Sequence, residues 1–196
     1  MGGIVGIFNS ENAHERIFKA LKQMQMELSP LGEQIFFIFS EDSEIRCVNL
    51  EELKRKMREY NDLIACCVPK SGEGDFKRLQ RFFNSLGIQR VVADAEIFNL
   101  DEIESMRMSE EQILDTLEGA YAICLWHSDG KVQLLRDIFG LRPIYFAHFD
   151  DCFAFSSHRN AMSAMGFHFS FELEPRTMLS YKKVAKKALS FKARMN

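Results

Sequence analysis

No stretch of this 196-residue chain is long and apolar enough to cross a membrane. The longest apolar runs, Gln34 to Phe39 and Ala120 to Trp126, fall far short of the roughly 20 residues that a spanning helix needs. The first residues lack the basic and apolar regions of a signal peptide, so the cytoplasm is the expected compartment and no membrane partner is expected. Histidines at 14, 127, 148, 158 and 168 show no ligand spacing, and adjacent Cys66 and Cys67 would point to opposite faces of a strand. No metal is expected. Gly72-Glu73-Gly74 lacks the lysine and helix context of a phosphate loop, and Met1 to Gly6 has no Ser or Thr where a myristoylation signal needs one. No cofactor is implied. Five cysteines are odd in number, and most sit beside apolar strand-like residues, which reads as reduced core residues rather than a disulfide framework. Internal repeats and low-complexity linkers are absent as well.

What is present is core material. Hydrophobic residues make up 46% of the chain and 18 residues are Phe, which excludes disorder and suffices for a layered interior in one domain. The net charge of −3 hides an asymmetry. Lys182, Lys183, Lys186, Lys187, Lys192 and Arg194 crowd the last residues without an acid, so the division is a domain over 1–181 and a basic tail over 182–196. Val184, Ala188, Leu189 and Phe191 recur in the tail at roughly helical spacing. A terminal helix on the body is the expectation there, and no nucleic-acid partner.

Patterning sets the order of elements. Ile4, Val5, Ile7 and Phe8 form a short apolar run among Gly2, Gly3 and Gly6, as in a strand buried on both faces where another backbone or a ligand comes close. Ile17, Leu21, Met24 and Leu28 mark an amphipathic helix from about Glu11, ended by Pro30 and Gly32. Strands follow at Gln34 to Phe39 and Ile45 to Val48, a helix over Leu50 to Tyr60, and a strand at Leu63 to Val68. Asp75 is the expected N-cap of a helix carrying Phe76, Leu79, Phe82 and Leu86, with a strand at Ile88 to Ala93 and one or two short helices over Leu100 to Thr116. From Gly119 the pattern becomes a meander: Ala120 to His127, Val132 to Arg136, Ile144 to Phe149 and Cys152 to Ser156, with an Asp129-Gly130 hairpin turn. A short helix over Ser157 to Met165 and a strand at Met178 to Tyr181 complete it. Helices before, between and after antiparallel strands predict an α+β fold of two sheets packed face to face with helices outside.

Five segments carry a family resemblance. Met1-Gly2-Gly3-Ile4-Val5-Gly6-Ile7-Phe8 resembles the Met-Cys-Gly-Ile-Val-Gly-Ile-Phe opening of class II glutamine amidotransferases of the asparagine synthetase type. Leu117 to Trp126 resembles Leu-x-Gly-x-Phe-Ala-Phe-Ala-Leu-Trp, and Arg136 to Phe146 is similar to Arg-Asp-x-x-Gly-x-Lys-Pro-Leu-Tyr-Tyr. Phe155-Ser156-Ser157 with Ala161, and Glu174 to Tyr181, continue the likeness in order. The resemblance implies the four-layer αββα sandwich of N-terminal-nucleophile hydrolases. In the family the Met is removed, and the exposed Cys attacks a carboxamide with its own α-amino group as base.

The resemblance also places the altered positions. Gly2 stands at the nucleophile position, and Asp94-Ala95 stands where the family's Asn-Gly pair supplies the oxyanion hole. A glycine offers no nucleophile, and an ionised Asp has no donor hydrogen. Losing one such donor costs roughly 10²–10³ in rate. The family's Arg-Gly-Pro-Asp element falls near Ser29 to Glu33 without an Arg, and its Ser-Asp-x-Glu segment is reduced to Ser109-Glu110-Glu111. Arg136 and Asp137 read as a structural ion pair or a turn brace. Three functions stay open: a degenerate domain without glutaminase activity acting as a binding or regulatory module, an active glutaminase whose Cys at position 2 was replaced, and a different hydrolase on the same scaffold. The partners implied are a separate synthetase subunit or a second copy of the chain, with a glutamine-like small molecule as ligand.

Overall fold

The computed structural model describes residues 2–106, 108–182 and 189–193, the last of these as backbone. Among the described residues twelve strands form two wholly antiparallel sheets. Strand β1 (Gly3–Phe8) is followed by α1 (Ala13–Leu28), β2 (Gln34–Phe39), β3 (Glu44–Cys47), α2 (Leu50–Lys56) and β4 (Leu63–Pro69). Next come α3 (Glu73–Ser85), β5 (Arg90–Ile97), α4 (Leu100–Ser105), α5 (Glu110–Thr116), β6 (Gly119–Trp126) and β7 (Lys131–Arg136). The chain continues through β8 (Tyr145–Phe149), β9 (Cys152–Ser156), α6 (Arg159–Ala164), β10 (Phe171–Glu172), β11 (Thr177–Lys182) and β12 (Leu189–Ala193). The first sheet runs β10-β8-β9-β1-β4-β2-β3 and the second β12-β11-β7-β6-β5.

Strand β1 is interior because every one of its residues is apolar or glycine and all six are buried. It lies between β4 and β9, with Gly3 opposite Cys67 and Phe8 opposite Phe153. Side chains alternate across the sheet, so Ile4 and Phe8 face the second sheet while Val5 and Ile7 face the helices. Phe8 meets Trp126 of the opposing sheet edge-on, ring centres 5.1 Å apart, a contact contributing about 0.5–1.5 kcal/mol beyond burial. The outer face of the first sheet is covered by α1, α2 and α6, whose Ile17, Leu21, Met24, Leu53 and Met162 are buried. On the far side Ile103, Ile113 and Leu114 of α4 and α5 cover the second sheet. The result is the expected αββα sandwich, with α3 packed beside the first half of β5 and its Phe76 ring tilted against Phe37, ring centres 4.8 Å apart.

Several expectations are corrected. Helix α3 begins at Glu73 with Gly72 as N-cap, so Asp75 lies inside the first turn and its carboxylate is released to the neighbouring cleft. The strand expected at Ile88 to Ala93 is shifted, because β6 pairs with β5 as far as Ile97; Asp94 and Ala95 thus lie within a strand. Helix α2 stops at Lys56, four residues early. The tail is not helical where it is described: Leu189–Ala193 is a strand paired with β11, Thr177 opposite Ala193. An open sheet edge offers backbone partners along its whole length, which outweighs a weak helical spacing. Residues 183–188 and 194–196 of the predicted tail helix lie outside the described residues.

Candidate functional site

The two ends of the predicted site meet. Strand β1 starts beside β4, and β5 of the second sheet brings Asp94 across the inter-sheet space, so the Gly2 N–H donates to Asp94 Oδ1 at 2.9 Å. Asp94 points inward because it pairs with Ala122, which shares the face of β6 that carries Trp126. Its carboxylate is buried, and its second oxygen lies 3.8 Å from Arg142 Nε. Around this contact opens a cleft of about 380 Å³, lined by Gly2, Pro69, Asp75, Asp94, Glu96 and Arg142 among others. Ala95, next along β5, is half-buried on its rim.

Gly2 is more than a residue without a side chain. A Cβ built on it would stand 2.5 Å from the Cys67 carbonyl oxygen, closer than any real Cβ contact. The start of β1 has closed onto β4 in a way only glycine permits. Its carbonyl is also engaged: His158 Nε2 lies 3.3 Å from Gly2 O, and His158 Nδ1 lies 2.8 Å from Glu27 Oε2. Burial pushes the Glu27 carboxyl up, but hydrogen bonds from Gln23, His158 and Asn160 and the attraction of His158 bring it below its ordinary value. Gly2 is thus held at both backbone groups, by Asp94 from the second sheet and by His158 at the N-cap of α6.

Arg142 reaches the cleft through a turn built on Asp137. Asp137 is wholly buried, and its Oδ1 accepts from Phe139 N and Leu141 N, its Oδ2 from Tyr121 N and Arg142 N. Gly140 adopts φ +67° within this turn and lies against Pro175. Asp137 is therefore the turn brace expected. The ion pair expected beside it goes elsewhere: Arg136 bonds Glu172 at 2.8 Å and the Leu173 carbonyl. Arg142 Nε is buried with no hydrogen-bond partner among the described residues.

The cysteines are core residues rather than reactive thiols. Cys66 and Cys67 fall on opposite faces of β4 as their adjacency requires. Burial, and next the negative charge of Asp94, push the Cys67 thiol far above its ordinary value; burial does the same to Cys66 and Cys124. Thiols so shifted hold almost no thiolate at neutral pH. No group of His, Cys, Asp and Glu able to hold a metal occurs among the described residues. Ser29–Leu31 is a 3₁₀ turn capped by Gly32, and none of its residues lines the cleft. His158, Glu27 and Arg142 escaped the sequence reading as site residues. Arg142 lies in the Arg136 to Phe146 segment and His158 directly follows Ser156-Ser157, but neither position carries a local signal of what lies across the fold.

Comparison with known proteins places the chain in a family. Residues 90–194 match the family described as a glutamine amidotransferase domain, and the chain belongs to it. A stretch of 58 residues, 29% of the chain, is 38% identical to the protein of Methanocaldococcus jannaschii named "Putative asparagine synthetase (glutamine-hydrolyzing) 1", of which it covers 11%. In fold the chain is similar to glutamine phosphoribosylpyrophosphate amidotransferase of B. subtilis complexed with ADP and GMP, with TM-score 0.71, 13% identity and 98% of this chain covered. It is likewise similar to a structure described as the allosteric regulatory enzyme of purine biosynthesis, with TM-score 0.72, 16% identity and the same coverage. The chain spans about half the length of both, 49% in each case. It is thus a class II glutamine amidotransferase-type domain with the sandwich of the N-terminal-nucleophile hydrolases. No helix among the described residues is long and apolar enough to cross a membrane.

Proposed function

We propose that this domain is a non-catalytic member of the amidotransferase family that serves as a binding or regulatory module. The observation that carries this is the closure at Gly2. Attack on a carboxamide needs a side-chain nucleophile with free space in front of it. Here the position has neither, since the Cys67 carbonyl occupies the path of a Cβ and Asp94 accepts the backbone N–H. Asp94 opposes a developing oxyanion, and the shifted thiols of Cys66, Cys67 and Cys124 count against a relocated cysteine.

What the cleft retains is binding capacity. Arg142 brings a cation to the Gly2 end of about 380 Å³ of space, a group suited to a small carboxylate such as a glutamine-like molecule. The M. jannaschii relative's name supports a synthetase subunit as partner for the module. Exposed Phe139 and Leu141, on the same turn as Arg142, offer such a subunit an apolar contact beside the cleft. The active-glutaminase reading requires β1 to retreat from β4 once a Cys side chain is present.

Exposure of the whole chain to a glutamine-like electrophile, followed by peptide mass spectrometry, tests this reading. No adduct is expected within residues 1–9 or at any buried cysteine. A stoichiometric adduct at either place would overturn it.

A further inference from the structure

The free edge of β5 carries the cleft onward, away from Gly2, and the ladder fixes which backbone groups lie along it. Phe98 N–H donates to Glu118 O, in the same register that sets Ile97 opposite Gly119, while Tyr121 O accepts from Asp137 N on the β7 side. Bonds in an antiparallel ladder alternate. Even-numbered residues of β5 therefore bond to β6, and Val91, Ala93, Ala95 and Ile97 turn their N–H and C=O groups to the open edge.

The first two of these positions are used. Gln80 Nε2 reaches Val91 O at 3.5 Å, and the Ala93 backbone lies beside the Cys66 thiol. At Ala95 and Ile97 the edge groups have no partner among the described residues. Two cavities of about 380 and 240 Å³ open at this point, and both are bordered by Asp75, Leu79, Ala95 and Glu96. They form one groove between β5 and the start of α3.

We infer that this groove is a strand-addition site for an extended basic peptide segment. Ala95 and Ile97 present two donor–acceptor pairs roughly 7 Å apart, the repeat of a strand, which about four extended residues satisfy. Charge selects the occupant. The groove's two cations are already matched, Arg78 by Asp101 and Glu104 and Arg142 by Asp94, which leaves Asp75 and Glu96 as lining carboxylates without an ion pair among the described residues. Phe98, 70% exposed, ends the groove with a ring face for a cation or an apolar side chain. This site goes beyond the non-catalytic reading and stands or falls without it.

The test titrates the whole chain with a fluorescent pentapeptide of alternating lysine and valine and with its glutamate counterpart, by anisotropy. The lysine peptide is expected to bind at least about tenfold more tightly, with the preference shrinking as salt rises. Ala95→Pro removes one edge N–H at a position where strand conformation is kept, and is expected to weaken binding about tenfold. Amide exchange on the unmutated chain guards against misfolding of that variant: the peptide is expected to slow exchange at Ala95 and Ile97. No binding, equal binding of the two peptides, or unchanged exchange at both amides would overturn the proposal.

Discussion

Gly2 and Asp94, 92 residues apart in the chain, are joined by a 2.9 Å hydrogen bond from the Gly2 N–H to Asp94 Oδ1. The bond ties the first strand of one sheet to the edge strand of the other, at the bottom of the cleft. A carboxylate in this place is a structural acceptor for the start of the chain.

Substitution at Gly2 is expected to destabilise. In Gly2→Ala the new Cβ meets the Cys67 carbonyl at 2.5 Å, so β1 or β4 must shift, at a cost of about 1–3 kcal/mol by comparison with other overpacked sites. Urea unfolding of the variant against the wild type reads this directly. Equal midpoints would show that the start of β1 yields freely.

Asp137 is expected to be among the least replaceable residues. Its carboxylate accepts four backbone N–H groups while wholly buried, and each donor left unsatisfied costs roughly 1–3 kcal/mol. Asp137→Ala should lower stability by more than about 3 kcal/mol, and Asp137→Asn by less, as it keeps one acceptor oxygen. A milder effect of Ala than of Asn in guanidinium unfolding would contradict the brace.

Glu27 gives the chain an acid-sensitive contact. Its folded-state pKa lies below the ordinary value of 4.5, so its contribution is fully present above that value and is lost as pH falls through the folded pKa. Glu27→Gln should therefore narrow the loss of stability below about pH 4.5 and leave the alkaline side unchanged. Thermal unfolding from acid to neutral pH measures it, and parallel curves for the two proteins would refute the assignment.

Native cysteine alkylation should be slow and confined to Cys152, which is only part-buried, while Cys47, Cys66, Cys67 and Cys124 are buried. Intact-mass kinetics with iodoacetamide check this. Rapid modification of Cys67 would revive a relocated nucleophile on this scaffold.

The fold was legible because its strong signals are local. β1 is an unbroken apolar run, α1 repeats at three and four residues, and Gly130 takes φ +78° in the Asp-Gly turn that joins β6 to β7. The juxtaposition of Gly2 with Asp94 followed from family likeness alone, since no spacing announces a contact between two sheets. His158 and Arg142 were not legible as site residues. His158 is placed by Glu27 on a different helix and Arg142 by a turn whose N–H groups, its own among them, bond to Asp137, so only the folded arrangement reveals them. The closure of β4 onto Gly2 was invisible for the same reason: a missing side chain does not say whether its space stays open. The strand at Leu189–Ala193 was misjudged because its cause is the edge of β11, which lies outside the tail.

Ammonia release from glutamine, measured across glutamine concentrations, is the most direct test of a non-catalytic site. The wild type, Gly2→Cys, and Gly2→Cys combined with Asp94→Asn and Ala95→Gly should be compared. The nucleophile, the oxyanion donors and the substrate cradle act as a unit. The wild type and the single variant are expected to release none above background, and the triple variant at most a weak, poorly saturating rate. Saturable turnover by the wild type, or by Gly2→Cys alone, would contradict the account.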